Sequence, residues 1–399
     1  MMHRSMKSLV MIFIFVGVTV AAYFVISSRT DTYLGRWFAW KSSDIDDYQR
    51  FPFLAVDNAP PIFDFNTVDA PLSFDTVSYQ YKGKSQTADL DVLLEQTGTT
   101  AFIVIKDDTI LYEGYFNEYK RDSINTSFSI AKSVTALLIG IAIDQEYITS
   151  IDDPMTTYIP ELLETDPRFN QITIRNLLSM KSGIAFADHD LPWGDKPKAY
   201  YHPKLRDVVI QLPISGIPGE KFEYNTYNPI LLGIVLERAS GQSVTEFFEE
   251  NLWKRLGMEY DATWSIDSQE DNMAKMESGI NTRAIDFAKI GRLLLMNGNW
   301  NGEQIVSESW IDLSMQIDSE SNVEEFGENT FYQLGWWINA PTDTDSYIVA
   351  GWGHLGQYLF VFPDENMIIV RFGKEFGEVD SWQQIAQAIV DLAIQDSSQ

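Results

Sequence analysis

Ser129 and Lys132 are the residues of this chain whose types and spacing could form a catalytic pair. They belong to the segment Ser129-Ile130-Ala131-Lys132, the only Ser-x-x-Lys in the sequence. Side chains three residues apart on a helix share one face, so the lysine amine could take the proton of a serine hydroxyl that attacks a carbonyl. A helix that begins at Ser129 would also favour negative charge there. In the alternative interpretation, Ser129 only caps the helix and Lys132 is solvated.

Two further segments contain side chains that transfer protons. Tyr224 lies in a loop before a predicted helix, where a phenol near an ammonium could relay protons to a leaving group; the alternative is an aromatic core residue. His354 lies in Gly351-Trp352-Gly353-His354-Leu355-Gly356-Gln357, where glycines would let a ligand approach the backbone; a buried structural histidine is the alternative. The Gly-x-Gly-x-x-Gly pattern does not indicate a nucleotide site, because a strand and not a helix is predicted after it.

The apolar pattern predicts an α+β fold that positions these residues. Residues 101–116 alternate like a hairpin, and the spacing of apolar residues predicts a helix from Ser129 to about Gln145. Helices are also predicted at 231–239, 244–256 and 283–296, strands at 332–339, 347–351, 357–363 and 367–372, and a last helix at 381–394. We therefore expect an antiparallel sheet built from both chain ends and flanked by helices, with a mostly helical insert.

Boundaries between units follow from composition along the chain. Residues 1–30 are predicted to form a cytoplasmic tip and transmembrane anchor, and residues 31–75 a linker or lead-in. Residues 76–165 and 265–399 are predicted to form the sheet-containing part, and residues 166–264 the helical insert.

The anchor prediction comes from an unbroken run of 18 low-polarity residues, Leu9 to Ile26, preceded by His3, Arg4 and Lys7. This length suffices for a short membrane span, and the upstream basic residues place the N-terminus in the cytoplasm. We therefore expect an extracytoplasmic domain, periplasmic or extracellular. The alternatives are a signal peptide cleaved near Ala22, which would give a secreted protein, and a buried core helix.

The charge and composition exclude several classes of protein. The 399 residues have a formal net charge of −28, and because residues 1–30 carry +3, the remainder carries −31. A field of this sign repels phosphate backbones, so nucleic acid is not an expected partner. The absence of cysteine excludes thiol catalysis. The loop Asp188-His189-Asp190 has no recognised metal-ligand spacing, and we expect neither metal nor cofactor.

In chain order, Ser129-x-x-Lys132, Tyr224 and His354-Leu355-Gly356 resemble the three motifs of the serine hydrolases with the class C β-lactamase and penicillin-binding-protein fold. Residues 177–183 and 218–233 also look like that family, and the resemblance extends from about residue 101 to residue 394. Within the family the chain looks like the branch of 6-aminohexanoate-dimer hydrolases and esterases. The resemblance implies a β-lactamase-like α+β fold.

The resemblance also implies acyl transfer without a cofactor on a small-molecule carboxylic ester or linear amide. Ser129 would be the nucleophile, Lys132 the base and Tyr224 a proton relay. The oxyanion would be bound by the backbone N–H groups of Ser129 and of Gln357, which follows Gly356.

Two departures from the family pattern affect details of this expectation. Thr226 stands where the family often has Asn. His354 replaces a lysine typical of β-lactamases and so removes a permanent positive charge, which predicts weak or absent β-lactamase activity. Two alternatives stay open: a non-catalytic penicillin-binding-like sensor or binding protein, and a hydrolase that uses His354 as general base.

Overall fold

A computed structural model describes residues 2–68, 72, 74, 76–340 and 347–396, with the backbone alone at residues 2–11, 13–15 and 396. Over these residues the helices are α1 (Met2–Ser27), α2 (Tyr33–Trp40), α3 (Leu90–Gln96), α4 (Ile130–Asp144), α5 (Leu162–Thr165), α6 (Ile174–Leu178), α7 (Asp195–Tyr201), α8 (Leu205–Val209), α9 (Tyr227–Ser240), α10 (Val244–Phe248), α11 (Ala284–Leu295), α12 (Glu308–Met315) and α13 (Trp382–Asp396). The strands are β1 (Phe53–Val56), β2 (Asn66–Thr67), β3 (Val77–Tyr81), β4 (Lys84–Ala88), β5 (Thr99–Lys106), β6 (Thr109–Tyr115), β7 (Asn125–Thr126), β8 (Ala262–Ser265), β9 (Ile280–Thr282), β10 (Asn299–Trp300), β11 (Glu303–Gln304), β12 (Thr330–Gln333), β13 (Trp336–Asn339), β14 (Ile348–Gly353), β15 (Gln357–Phe362) and β16 (Met367–Gly373).

The largest sheet has eight strands in the order β12-β13-β14-β15-β16-β5-β6-β2. Early and late parts of the chain meet where β16 pairs antiparallel to β5, with Val370 opposite Ile103. A sheet built from both parts of the chain is therefore confirmed. The expectation of a wholly antiparallel sheet is wrong, because β2 runs parallel to β6, with Asn66 opposite Thr109. The sheet is mixed.

Helices cover both faces of this sheet. Val349, Leu359 and Val370 on one face share a core with α4 and α11. The opposite face packs against α3 and α13. Residues 130–142 of α4 are all buried, as expected for a helix that is apolar on nearly every side. The helix that contains Lys132 is thereby fixed between the sheet and α9.

Residues 31–75 are packed into the domain at several points. They contribute α2, β1 and β2, and β1 joins a second sheet in the order β1-β8-β9-β7. Arg36 on α2 is buried and donates hydrogen bonds to the carbonyl oxygens of Asp267, at 2.6 Å, and Tyr201, at 3.3 Å. The lead-in therefore supports the region around β8.

Two predicted elements differ in the structure. Residues 332–339 do not form one strand, because a turn at Leu334 and Gly335, with φ of +41° and +84°, separates β12 from β13. Apolar residues continue through this turn, so the alternation of residue types does not reveal it. The helix predicted at 244–256 is shorter, since α10 ends at Phe248 and a π-helical segment, Glu249–Trp253, follows. The other predicted strands and helices occur within a few residues of their expected bounds.

Residues 9–26, predicted as a membrane span, lie within α1. Side chains at positions 9–11 and 13–15 of that segment are outside the described residues. In the described part of the chain, no helix has both the length and the apolar character needed to cross a membrane. Membrane attachment stays a prediction from the sequence.

Candidate active site

Ser129 lies immediately before the first turn of α4, and its side chain does not cap that helix. The preceding residue, Phe128, has a φ of +46°, a left-handed conformation that costs a bulky residue on the order of 1–3 kcal/mol. Lys132 follows one turn later, and its Nζ lies 2.8 Å from the Ser129 Oγ. The expected approach of serine hydroxyl and lysine amine on one helix face is therefore present.

Lys132 is almost completely enclosed, with 4% of its surface exposed. Its Nζ donates a hydrogen bond to the carbonyl oxygen of Glu277 at 3.0 Å and lies 5.0 Å from the centre of the Tyr224 ring. Among the described residues, no carboxylate forms an ion pair with this amine. Its polar neighbours are a hydroxyl and a carbonyl, so no acidic side chain competes for it.

Tyr224 lies in the loop before α9 and is partly buried. Its ring packs against Trp337, at 5.7 Å between ring centres, and Tyr332, at 5.9 Å. The structure thus combines the two interpretations of Tyr224: its ring belongs to an aromatic cluster, and that cluster borders Lys132.

His354 is exposed and lies next to Phe128, the residue before Ser129. Its ring contacts the Phe128 ring edge-on, at 5.4 Å between centres. No hydrogen bond joins the His354 ring to Ser129 among the described side chains. Neighbouring protein atoms and then the Lys196 ammonium lower the pKa of His354, against the opposing effect of Asp190 and Asp47. A neutral imidazole is therefore favoured at neutral pH.

The turn after β14 brings Gly356 and Gln357 next to His354. Leu355 and Gly356 adopt φ values of +60° and +79°, and Gln357 then begins β15. The Gln357 side chain is buried, where its Nε2 donates to the carbonyl oxygens of His354, at 3.0 Å, and Gly373, at 2.6 Å. This side chain holds the turn closed and does not face a substrate.

The glycines of β14 have a different role from the one expected. A Cβ on Gly353 would lie 2.5 Å from the carbonyl oxygen of Ser127, and one on Gly351 would lie 2.8 Å from a methyl of Ile130. These glycines let the start of α4 approach the strand, and not a ligand as the sequence suggested. They set the spacing between Ser129 and the His354 turn.

The acidic side chains of the loop at residues 188–190 are not gathered into a cluster of potential metal ligands in the described part of the chain. Asp190 pairs with Lys196 at 3.0 Å, and the described residues include no group of three or more potential metal-ligating side chains.

Sequence reasoning missed Phe128 and Glu277. Glu277 contributes a main-chain carbonyl, which has no signature in the sequence, and its side chain is fixed by an ion pair with Lys275 at 2.7 Å. Asn225, the neighbour of Thr226, donates to the carbonyl oxygen of Ile184 at 2.9 Å.

A family profile described as Beta-lactamase matches residues 90–394 of the chain. A 6-aminohexanoate-dimer hydrolase of Paenarthrobacter ureafaciens is 27% identical over 300 residues, which cover 71% of this chain and 74% of that protein. The structure of a candidate 6-aminohexanoate-dimer hydrolase from Bacillus anthracis superposes with a TM-score of 0.76 at 24% identity, covering 87% of this chain and 92% of that one. A D-stereospecific amidohydrolase from Streptomyces superposes with a TM-score of 0.58 at 18% identity, covering 74% and 96%.

Proposed function

The chain is a serine hydrolase that belongs to the Beta-lactamase family, and on this premise we propose that it cleaves a carboxylic ester or a linear amide through an acyl-enzyme on Ser129. The observation that carries the proposal is the 2.8 Å contact between the Ser129 Oγ and the Lys132 Nζ at the start of a buried helix. A serine becomes a useful nucleophile when a base within hydrogen-bond reach can take its proton, and this geometry meets that requirement.

In the proposed first step, the Ser129 Oγ attacks the substrate carbonyl carbon while its proton moves to the Lys132 amine. Negative charge develops on the carbonyl oxygen, where the backbone N–H groups of Ser129 and Gln357 would stabilise it. The leaving alcohol or amine takes a proton, with Tyr224 as relay, as the carbon–oxygen or carbon–nitrogen bond breaks. Water then attacks the ester on Ser129 by the same route, which releases the acid and restores the hydroxyl.

The geometry favours Lys132 over His354 as the base. Lys132 contacts the Ser129 hydroxyl directly, whereas the His354 ring packs on Phe128. The non-catalytic alternative predicts instead that Ser129 acylates slowly or not at all.

Linear esters and amides suit this site better than β-lactams. The lowered pKa of His354 leaves that side chain uncharged at neutral pH, so it supplies no cation to bind a substrate carboxylate. The names of two relatives support hydrolysis of amide-type substrates: one acts on a 6-aminohexanoate dimer and the other is an amidohydrolase.

Labelling with a fluorophosphonate, followed by mass spectrometry of the adduct, tests the nucleophile. We expect the adduct on Ser129, hydrolysis of short-chain p-nitrophenyl esters, and loss of both in Ser129→Ala. Ser133→Ala is the matched control, because Ser133 lies on the same helix and its hydroxyl bonds to the carbonyl oxygen of Gly335. An adduct elsewhere, or equal inactivity of wild type and Ser129→Ala on a broad panel of esters and amides, would contradict the proposal.

We further propose that α1 anchors the chain in a membrane and that the catalytic domain lies on the extracytoplasmic side. Support comes from the apolar run at residues 9–26 and from exposed side chains such as Val18, Phe24 and Val25, which would be favoured in a bilayer. Alkaline extraction of membranes from cells that produce the full chain should leave it in the pellet. A Val18→Asp, Val20→Asp variant should be released, and a mature chain that begins near residue 23 would instead indicate a cleaved signal peptide.

A further inference from the structure

Arg371 on β16 is a fully buried cation with no acidic partner among the described residues. Its guanidinium lies 3.8 Å from the centre of the Trp382 ring. Within the described residues its hydrogen bonds go to neutral oxygens only. They are the Thr99 Oγ1 at 3.0 Å and the carbonyl oxygens of Leu355 at 3.4 Å, Gly356 at 2.5 Å, Thr97 at 3.0 Å and Glu375 at 3.1 Å.

Removing a charge from water without a counter-ion is unfavourable, so this arrangement needs a reason beyond stability. Burial lowers the pKa of Arg371 to about 9, which still leaves the guanidinium charged at neutral pH. The domain therefore holds a buried positive charge that forms no ion pair among the described residues, behind the turn that follows His354.

The shortest of these hydrogen bonds reaches the peptide group that joins Gly356 to Gln357. In a trans peptide the C=O and N–H bonds point in opposite directions. Because Arg371 binds the Gly356 carbonyl oxygen, the Gln357 N–H points away from the guanidinium. A cation on the carbonyl oxygen also polarises the peptide and strengthens its N–H as a donor.

We propose that Arg371 is a positioning residue for oxyanion stabilisation: it orients and polarises the Gly356–Gln357 peptide so that the Gln357 N–H binds the negative charge of the tetrahedral intermediate. This inference rests on the proposed function, in which that N–H is an oxyanion donor. Arg371 itself does not contact the substrate.

Two neighbouring residues fit this role. A Cβ on Gly356 would lie 2.2 Å from the Arg371 Nη1, so glycine is required for the guanidinium to reach the carbonyl. The Gln357 side chain closes the turn through Gly373, whose N–H donates to its Oε1 at 3.0 Å. The turn is therefore held rigidly on both sides of the peptide, as a preorganised oxyanion site needs to be.

The test compares Arg371→Gln, which removes the charge, with Arg371→Lys, which keeps it. Loss of a complete oxyanion donor lowers kcat by about 10²–10³-fold, so a donor that is weakened and less well held should lower it by roughly 10–100-fold. For Arg371→Gln we expect a roughly 10–100-fold lower kcat for a p-nitrophenyl ester and a KM within about threefold of the wild-type value. The Ki of phenylboronic acid should rise in parallel, because the serine adduct of this inhibitor is a tetrahedral anion. Arg371→Lys should recover part of both losses, which also covers the case in which Arg371→Gln does not fold.

Arg292→Gln is the matched control. Arg292 is also buried, and its guanidinium stacks on Trp300 at 4.4 Å, but it forms an ion pair with Asp108 in the turn between β5 and β6. The Arg292→Gln variant should have a lower thermal stability than the wild type and an unchanged kcat. Folded Arg371→Gln with wild-type kcat and phenylboronic acid Ki would overturn the inference and leave the proposed function standing, and so would a folded Arg371→Lys that recovers neither loss. A wild-type chain that neither turns over nor labels at Ser129 would overturn both.

Discussion

Replacing Lys132 by methionine separates the lysine-base mechanism from the histidine-base mechanism. Methionine matches the length of the lysine stem but cannot accept a proton, so the change removes the 2.8 Å contact with the Ser129 hydroxyl. General-base catalysis contributes about 10²–10⁴-fold, and kcat/KM should fall by that factor, equivalent to ~2.7–5.4 kcal/mol of transition-state stabilisation. The matched change His354→Gln removes a ring that contacts Phe128 and makes no hydrogen bond to Ser129, so the loss should stay below about tenfold.

The comparison of rates is valid only if the Lys132→Met variant stays folded. Lys132→Met leaves the buried carbonyl oxygen of Glu277 without its donor, which destabilises the fold by about 1–3 kcal/mol. That shift is small enough for the variant to stay folded at 25 °C, and circular dichroism melts would verify it. Rates of both variants should be measured with p-nitrophenyl acetate and butyrate and given per mole of folded protein. The active fraction of the wild-type preparation is determined by fluorophosphonate titration. Equal losses in Lys132→Met and His354→Gln would refute the assignment of Lys132 as base.

Two further predictions concern packing and pH. Gly353→Ala should destabilise the protein by about 1–3 kcal/mol in thermal melts and reduce ester hydrolysis. The reason is that the added Cβ would lie 2.5 Å from the Ser127 carbonyl oxygen and displace the residues before Ser129. Normal stability and activity of this variant would contradict the packing described. For His202, burial lowers the folded-state pKa, and its Nδ1 accepts a hydrogen bond from the Lys204 N–H. The neutral form thus stabilises the fold fully above about pH 6.5, and this stability is lost as the pH falls towards the folded-state pKa. Between pH 7.5 and 5.5 the wild type should therefore lose more unfolding free energy in urea titrations than His202→Gln, and parallel losses would contradict that.

The parts of the fold that could be predicted from the sequence are those with local signals. The apolar spacing of α4 and the alternation of β5 and β6 depend only on near neighbours, and the Ser-x-x-Lys spacing on that helix placed two side chains together. The turn between β12 and β13 was missed because Leu334 and Gly335 interrupt an apolar run without polar residues. Glu277 and Arg371 were missed for a different reason. The backbone carbonyl of Glu277 accepts from Lys132, and Arg371 donates to the backbone carbonyl of Gly356. Such hydrogen bonds between distant segments leave no pattern within a sequence window.

The pairing of β16 with β5 has a consequence for how the protein becomes active during synthesis. Arg371 bonds to Thr99, 272 residues earlier in the chain, and closing so long a loop carries a large entropic penalty before any contact rewards it. A nascent chain that has emerged only as far as β14 already contains Ser129 and Lys132 but lacks the strands that join its two halves. We therefore expect hydrolytic activity to arise in one late event, after residue 373 has left the ribosome, and not to build up as the motifs appear one by one.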